Sequence, residues 1–341
     1  MIKQFAMSLF LLAMLPLRAQ DPDYLSGLKH YQPEAVVTGT IRVWGNNYIP
    51  LLMQKWEDGF RRFHPQVQFE TNLKGTEASM AGLYGGIADL AFIGREGYPT
   101  ELRAFTERFG YEPLGIEISS GSFDTPHKTF ALMLYVNKDN PLLGLTMQQL
   151  RAIFECGCAN GRKIRTWGDA GLKGAWATRP IHLYGYASST GMAAFFNRTV
   201  LDGSGRWNDS MRDFENGWQA NGEVINAGVY VLQALAKDPA GIAYANDLYQ
   251  NDQVRIVPLA RESDSPFVTP TKVTTWNRTY PLTRFTTVYA NRAPGRPLDR
   301  RLREFIRYIL SAEGVRATVE DGAYLPLNPR IVDEQLKKLD P

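Results

Sequence analysis

Cysteine is scarce in this 341-residue chain, which contains only Cys156 and Cys158. No histidine or further cysteine lies close to them in the sequence, so a zinc site is not expected. Their tight spacing would strain a disulfide, and the sequence leaves open whether they form one or remain two free thiols. Either state predicts a local loop feature without catalytic chemistry.

Long apolar runs are also missing beyond Leu17, and no later segment approaches 18 uninterrupted apolar residues, so we expect a soluble mature chain. The start differs. Met1–Gln4 carries one positive charge, Phe5–Leu17 is apolar, and Leu17–Ala19 offers a cleavage site. This pattern is typical of a secretory signal peptide and predicts a periplasmic protein, with a buried N-terminal helix as the alternative. No cysteine follows the run, so a lipid anchor is not expected there.

A large excess of charge of either sign is absent too. The chain has 38 basic and 35 acidic side chains, a net charge of +3. Cleavage after Ala19 would remove Lys3 and Arg18 but no acid, leaving 36 basic and 35 acidic residues, a net charge of +1. Such a chain has no overall field to attract nucleic acid or an anionic membrane, so any anion recognition must be local. Its length of about 320 residues exceeds one comfortable core and predicts two lobes.

Short predicted strands alternate with helices from residue 39 onward. Gly39–Gly45, Val67–Thr71 and Ile87–Ile93 have strand character. Pro50–Phe63 has apolar residues at helical spacing, and a second helix is expected from Gly75 through Tyr84. This order predicts an α/β sheet with helices on its faces.

Two long predicted strands, Thr129–Val136 and Leu282–Tyr289, bracket the middle of the chain. Between them we expect a helix over Thr146–Phe154 with Thr146 as its cap, and a strand over Ile181–Gly185. The chain should therefore cross into a second lobe and return. The expected divisions are a signal peptide at 1–19, a loose N-terminal extension at 20–35, a discontinuous first lobe at 36–131 and 263–330, and a second lobe at 132–262.

Three polar loops each join a predicted strand to a helix, at Gly45–Tyr48, Gly75–Ser79 and Ser188–Gly191. A helix N-terminus offers unpaired N–H groups and partial positive charge, so it can bind an anion. One such loop is more often a simple helix cap. Three of them at the carboxyl ends of strands converge where α/β folds bind ligands.

Further segments occur in order along the chain, from Leu145–Phe154 and Ile164–Trp167 to Tyr280–Arg284 and Gly322–Leu327. They resemble landmarks of the periplasmic phosphate-binding proteins of ABC importers. The resemblance covers nearly all of residues 39–329. It implies a two-lobed venus-flytrap fold, with each lobe a sheet flanked by helices and with ligand sealed between lobes that are joined by hinge strands. The segments are Leu145–Phe154, Ile164–Trp167, Gly241–Tyr244, Tyr280–Arg284, Asn291–Leu298, Leu310–Gly314 and Gly322–Leu327.

The ligand loops depart from that family at informative positions. Thr190 and Gly191 match the Ser-Gly of the family's second-lobe loop. The family's phosphate-clamping arginine is replaced by Tyr186, and its threonine by Met192. The family's aspartate that accepts the proton of hydrogen phosphate corresponds by count to Gly94.

A compensating charge is therefore expected elsewhere, because Tyr186 cannot supply a charged bidentate clamp. Arg95 is the predicted main charged contact, with Glu96 as the replacement proton acceptor. Ser189 and Thr190 would donate hydroxyl hydrogen bonds. The alternative is that Arg95 and Glu96 pair with each other or with solvent.

In the first lobe, Asn47 and Tyr48 are expected to lie at the ligand, and the sequence does not choose between Thr76 and Ser79 as the hydroxyl donor. The complete set of candidate ligand-binding residues is Asn47, Tyr48, Thr76, Ser79, Arg95, Glu96, Tyr186, Ser189, Thr190 and Gly191.

The expected function is capture of phosphate or a related small oxyanion for an ABC importer permease, by a monomer without cofactor or nucleic-acid partner. One alternative is a diverged flytrap that binds another solute or acts as a sensor partner. Another is an exported hydrolase that uses the same cleft. The four histidines lack metal spacing and no nucleophile-elbow motif is present, so neither a metal site nor an enzyme is predicted.

Overall fold

The computed structural model describes residues 22–125, 128, 131–156 and 163–340. The predicted signal peptide at 1–19, Thr129, Phe130 and Cys158 lie outside the described residues. Cys156 is a free thiol whose sulfur lies 3.5 Å from Asp209 Oδ2.

Two five-stranded sheets organise the described residues, and helices pack on both. In chain order the elements are β1 (Gly39–Gly45), α1 (Pro50–Arg61), β2 (Val67–Asn72), α2 (Thr76–Tyr84), β3 (Leu90–Ile93), α3 (Pro99–Phe109), β4 (Leu114–Ser120), β5 (Met133–Asn137), β6 (Leu145–Thr146), α4 (Met147–Phe154), β7 (His182–Tyr186), α5 (Gly191–Val200), β8 (Arg212–Phe214), β9 (Gly217–Trp218), β10 (Val224–Ile225), α6 (Ala227–Ala236), β11 (Gly241–Ala245), β12 (Val254–Ile256), β13 (Leu259–Ala260), α7 (Lys272–Trp276), β14 (Phe285–Ala290), α8 (Arg300–Ile309), α9 (Ala312–Asp321) and α10 (Pro329–Lys337).

The first lobe is built on a sheet with the strand order β2-β1-β3-β14-β4. β1, β2 and β3 run parallel, with α1 and α2 between them along the chain, and β14 returns antiparallel between β3 and β4. The predicted strand over 39–45 is confirmed, and the predicted helix from 75 begins at Thr76. β3 is shorter than predicted, because the N–H groups of Ile87 and Ala88 donate to the Gly82 carbonyl of α2 and not to the sheet.

The second lobe is built on a sheet with the strand order β12-β5-β11-β7-β8. The helix predicted over 146–154 is confirmed as α4, and Thr146 caps it by accepting a hydrogen bond of 3.1 Å from the Gln149 N–H. The Gln149 side chain in turn accepts from the Thr146 N–H, which completes a capping box.

Two chain segments cross between the lobes and bond to each other. The Gly121 N–H donates to the Arg284 carbonyl at 2.7 Å, and the Leu132 N–H donates to the Leu282 carbonyl at 3.2 Å. Both predicted long strands are shorter than expected: β5 begins only at residue 133 and β14 at residue 285. The residues just before each strand form the backbone hydrogen bonds that connect the two crossing segments to each other. The chain was expected to re-enter the first lobe at residue 263. Tyr280 and Leu282, which come after that position, pack in the core of the second lobe.

The N-terminal segment is not the loose extension that its polar composition predicted. Tyr31 is buried in the core of the first lobe. Its N–H donates to Glu313 at 2.8 Å, and the Ala312 N–H donates to the Lys29 carbonyl at 2.9 Å. These partners lie at the far end of the chain, so local sequence could not reveal them.

A chain of buried hydrogen bonds extends from this segment into the lobe. The Val37 N–H donates to His64 Nδ1 at 3.2 Å, so the neutral ring carries its proton on Nε2. Nε2 lies 2.7 Å from the Tyr31 hydroxyl, which donates to Glu304 at 2.6 Å. Burial lowers the pKa of His64, and Glu304 opposes that shift only in part.

We expect the free energy of unfolding to fall as the pH falls from about 7 to 5. His64 is held neutral in the fold, whereas the unfolded chain takes up a proton near its ordinary pKa of about 6.5. In urea titrations, His64→Gln should therefore show a weaker pH dependence in this range than the wild type. The control is His182→Gln, which changes a half-exposed histidine. An equal pH dependence in the wild type and His64→Gln would contradict this prediction.

Candidate functional site

A polar cleft of about 540 Å³ lies between the two lobes. The loops that follow β1, β3 and β7 all reach it, so it lies at the carboxyl ends of strands from both sheets. The lining residues are Asn46, Asn47, Tyr48, Lys74, Gly75, Thr76, Glu77, Gly94, Arg95, Tyr98, Lys128, Tyr186, Thr190, Gly191, Met192, Asn216, Asn226, Arg284 and Tyr324. Seven of the ten sequence-predicted residues are brought together here, and Ser79, Glu96 and Ser189 do not line the cleft.

The loop after β1 is fixed by a buried amide. The Asn46 side chain accepts a hydrogen bond of 2.8 Å from the Tyr48 N–H and donates to the Tyr324 hydroxyl at 3.4 Å. A Cβ atom at Gly94 would lie only 2.0 Å from Asn46 Nδ2. Asn46 thus fills the space that a side chain at position 94 would need, which explains physically why glycine stands there.

Of the two hydroxyls at the start of α2, only that of Thr76 faces the cleft. Thr76 Oγ1 accepts a hydrogen bond of 3.2 Å from the Gly94 N–H. Ser79 is buried, and its hydroxyl donates to the Gly75 carbonyl at 2.8 Å inside the helix. The geometry therefore favours Thr76 over Ser79 where the sequence left the choice open.

The start of α5 supplies the opposite wall of the cleft. Thr190 caps this helix by accepting from the Ala193 N–H at 3.2 Å, and its hydroxyl donates to the Ala187 carbonyl at 2.8 Å. As at any helix start, the first N–H groups have no intrahelical acceptor and can meet an anion. Ser189 lies outside the cleft, and its exposed side chain donates to Glu215 at 3.3 Å.

The two lobes touch where Gly191 meets Tyr98. A Cβ atom on Gly191 would lie 2.9 Å from the Tyr98 hydroxyl. Glycine is needed here because the second-lobe helix approaches the first-lobe side chain so closely.

Tyr186 contributes a neutral phenol to the cleft. Its side chain is almost fully buried beside the Tyr244 ring, with ring centroids 5.8 Å apart. Burial raises the pKa of Tyr186 far above the physiological range. The residue in the position of the family's arginine therefore carries no charge, in agreement with the sequence-based inference.

Arg95 lies on the cleft wall, already bound by a carboxylate. Its two terminal nitrogens donate to Glu101 at 2.9 and 2.8 Å, and its guanidinium carbon lies 3.5 Å from the centroid of the Tyr98 ring. Burial alone would lower the pKa of Arg95, but the hydrogen bonds to Glu101 outweigh it and raise that pKa. Arg95 is thus a permanent cation whose strongest partner is a protein carboxylate.

Glu96 is not part of the cleft lining and pairs with arginines. It accepts hydrogen bonds of 2.8 and 3.4 Å from Arg284, and Arg198 of α5 lies 3.6 Å away. Burial would raise the pKa of Glu96, but first Arg284 and then Arg198 outweigh it, so the pKa is lowered and the carboxylate is ionised. The alternative in which Arg95 pairs with the Glu96 carboxylate is not what the structure contains, since Arg95 meets only its backbone carbonyl.

Three further cations in the lining were missed by sequence reasoning, Lys74, Lys128 and Arg284. Arg284 directly precedes β14 and is only 3% exposed. A charged residue directly before a strand that contains no other charged residue was the available signal. Lys128 donates to the Tyr48 carbonyl and lies 5.4 Å from the Tyr324 ring centroid. Burial lowers the pKa of Lys128, and Asp321 opposes the shift.

Two α/β lobes joined by paired crossing segments and enclosing a polar cleft define a two-lobed solute-binding protein. A sequence model described as a PBP superfamily domain matches residues 32–313. The Phosphate-binding protein PstS of Pseudomonas aeruginosa is 31% identical over 314 residues, which cover 92% of this chain and 90% of that protein. The chain therefore belongs to the phosphate-binding protein family of the PBP superfamily.

More distant relatives agree with this fold. Protein SphX of Synechococcus elongatus is 22% identical over 258 residues, covering 75% of this chain and 68% of that protein. The crystal structure of PstS from Borrelia burgdorferi has a TM-score of 0.52 at 15% identity, covering 85% of this chain and 99% of that one. Across the residues that the structure describes, no helix is both long and apolar enough to span a bilayer. The same residues contain no cluster of three or more side chains suited to hold a metal ion.

The contact between Gly94 and Asn46 can be tested by a double-mutant cycle. Gly94→Ala should lower the free energy of unfolding by about 1–3 kcal/mol, because the added methyl group overpacks the site. Asn46→Ala removes the obstructing amide. Adding Gly94→Ala to Asn46→Ala should therefore cost much less than adding it to the wild type, as measured by urea unfolding. Equal costs in both backgrounds would contradict this account of position 94.

Proposed function

We propose that this protein captures phosphate or a closely related oxyanion in the interlobe cleft and delivers it to the permease of an ABC importer. The observation that carries this proposal is the joint lining of one cleft by the starts of α2 and α5 and by cationic side chains from the first lobe. Helix starts and cations are the groups that bind oxyanions in a partly dry site. The 31% identity to a protein named for phosphate binding supports the same ligand.

The proposed ligand-binding residues are the predicted ones that line the cleft. On the first lobe, Asn47 and Tyr48 lie in the loop after β1, and Thr76 lies at the start of α2. Arg95 contributes positive charge. On the second lobe, Thr190 and Gly191 present the start of α5, and Tyr186 closes the wall beside them. Closure of the lobes by bending at the crossing segments would bring both groups around one anion.

We further propose that the chain acts as a monomeric receptor in the periplasm and is not an enzyme. The relative that is 31% identical is named as a phosphate-binding protein. Residues 1–19 have the pattern of a cleaved signal peptide, which supports export.

Phosphate binding is tested by calorimetry together with a repulsive variant. We expect the wild type to bind inorganic phosphate and to gain about 2.7 kcal/mol in unfolding free energy at 100 times the dissociation constant. Thr76→Asp places a negative charge at the helix start where the anion would lie. It should weaken phosphate binding at least tenfold, because like charges oppose each other there. The fold should survive, since a helix start accommodates an acidic residue.

The matched control is Thr100→Asp, which makes the same change in the exposed first turn of α3, outside the cleft lining. It should leave phosphate binding unchanged. If the wild type does not bind phosphate, the proposed ligand is wrong and the result favours a receptor for another solute. If Thr76→Asp and the wild type bind phosphate with equal affinity, the anion does not lie at the start of α2.

Export is tested by intact-mass analysis of the periplasmic fraction. The mature protein should begin near Gln20, because the cleavage pattern ends at Ala19. Leu11→Arg interrupts the apolar run and should leave uncleaved chain inside the cell. A periplasmic wild-type product that still carries Met1 would overturn the cleavage prediction.

A further inference from the structure

A group of three charges at the edge of the cleft, of which Glu96 and Arg284 are buried and Arg198 is exposed, has no assigned role. Arg284 from the first lobe and Arg198 from α5 both approach Glu96, at 2.8 and 3.6 Å. One carboxylate cannot neutralise two guanidinium groups, so this group carries a net charge of +1. The corresponding group around Arg95 contains Glu101 at 2.8 Å and Glu77 at 3.7 Å, so its net charge is −1. Of these two groups, the one that holds Arg284 therefore attracts an incoming anion more strongly.

The hydrogen-bond donors of the two arginines lead to the same conclusion. Both terminal nitrogens of Arg95 donate to carboxylate oxygens of Glu101. In Arg284, Nε and Nη2 donate to Glu96, and among the described residues Nη1 has only the Met192 sulfur as a partner, at 3.0 Å. A thioether is a weak acceptor. Arg284 is 3% exposed, so it holds a charged donor at the cleft without an oxygen partner.

The position of this donor matches the start of α5. Met192 is the second residue of that helix, so the contact to its sulfur places the Arg284 guanidinium beside the helix N-terminus. The Arg284 carbon Cζ also lies 4.9 Å from the centroid of the Phe195 ring in the next turn. An oxyanion at this point would meet a formal positive charge and the partial charge of the helix together.

The charge of Arg284 also acts on Tyr324. Burial raises the pKa of Tyr324 to about 12, and the Arg284 charge acts in the opposite direction on the same phenol. Tyr324 and Arg284 both line the cleft. The Arg284 charge therefore acts on another residue of the cleft lining besides its pair with Glu96.

We propose that Arg284 is the cationic ligand of the bound oxyanion, donating through Nη1 after the Met192 sulfur is displaced. Glu96 is then a positioning residue that fixes the guanidinium through Nε and Nη2, and it does not accept a proton from the ligand. This inference rests on the proposed function and assigns to Arg284 the charge that Tyr186 does not provide.

The main test is calorimetry with inorganic phosphate on three arginine-to-lysine variants. Arg284→Lys keeps a positive charge near Glu96 but lacks the Nη1 arm, and it should bind phosphate at least tenfold more weakly. Arg278→Lys is the matched control, since Arg278 also pairs with a carboxylate, that of Glu117, but does not line the cleft. It should bind like the wild type. Arg95→Lys should lose less affinity than Arg284→Lys, and the reverse order would overturn the proposal.

A second variant keeps the test decisive if Arg284→Lys does not fold. The double change Arg284→Gln and Glu96→Gln replaces the buried ion pair by two neutral hydrogen-bonding groups, which avoids an unpaired buried charge. It should remain folded by circular dichroism and lose phosphate binding at least tenfold. Wild-type affinity in this double variant would overturn the role of Arg284.

Comparing phosphate with sulfate tests whether Glu96 positions Arg284 or accepts a proton from the ligand, because sulfate has no proton to donate. Glu96→Gln should change phosphate and sulfate affinity together and leave the preference between them unaltered. If Glu96→Gln raises the ratio of sulfate affinity to phosphate affinity tenfold or more, Glu96 accepts the ligand proton and the positioning role is wrong. If the wild type binds neither anion, the proposed function fails as well. If the wild type binds phosphate and Arg284→Lys binds it equally, only this inference fails.

Discussion

The buried carboxylate of Glu96 is where the two lobes and the returning chain meet. A charge removed from water must be paired, and Glu96 finds Arg284 just before β14 and Arg198 on α5. Because Arg198 belongs to the second lobe, the arrangement of both arginines depends on how closely the lobes approach. The same contact sets the direction of the Arg284 guanidinium, and thereby the charge that the cleft presents.

The parts of this structure that sequence predicts well are those determined by a few neighbouring residues. Strand β1 and the cap at Thr146 follow from local alternation and from one hydroxyl before a helix. The choice between Thr76 and Ser79 depends on which face of α2 turns to the cleft, and spacing alone does not settle it. The partnership of Arg284 with Glu96 spans 188 residues, so no local pattern could have indicated it.

Position 94 illustrates how a binding loop can change without leaving a void. The resemblance places an aspartate there in the family, whereas this chain has glycine, and the amide of Asn46 occupies the space beside it. The amide also holds Tyr48 and Tyr324, so it stabilises the cleft wall from inside the lobe. Two residues from different loops must therefore change together for a side chain to return at position 94.

The docking of the N-terminal segment has a consequence for the order in which the molecule can assemble. Tyr31 reaches its carboxylate partner Glu304 across 273 residues, and its backbone bonds to Glu313 across 282. Contacts of such large sequence separation form late, because the intervening loop must close first. A chain that is synthesised from its N-terminus cannot complete the first lobe until α8 and α9 have been made. The second lobe, which is continuous in sequence, can mature earlier and serve as the surface on which the first one closes.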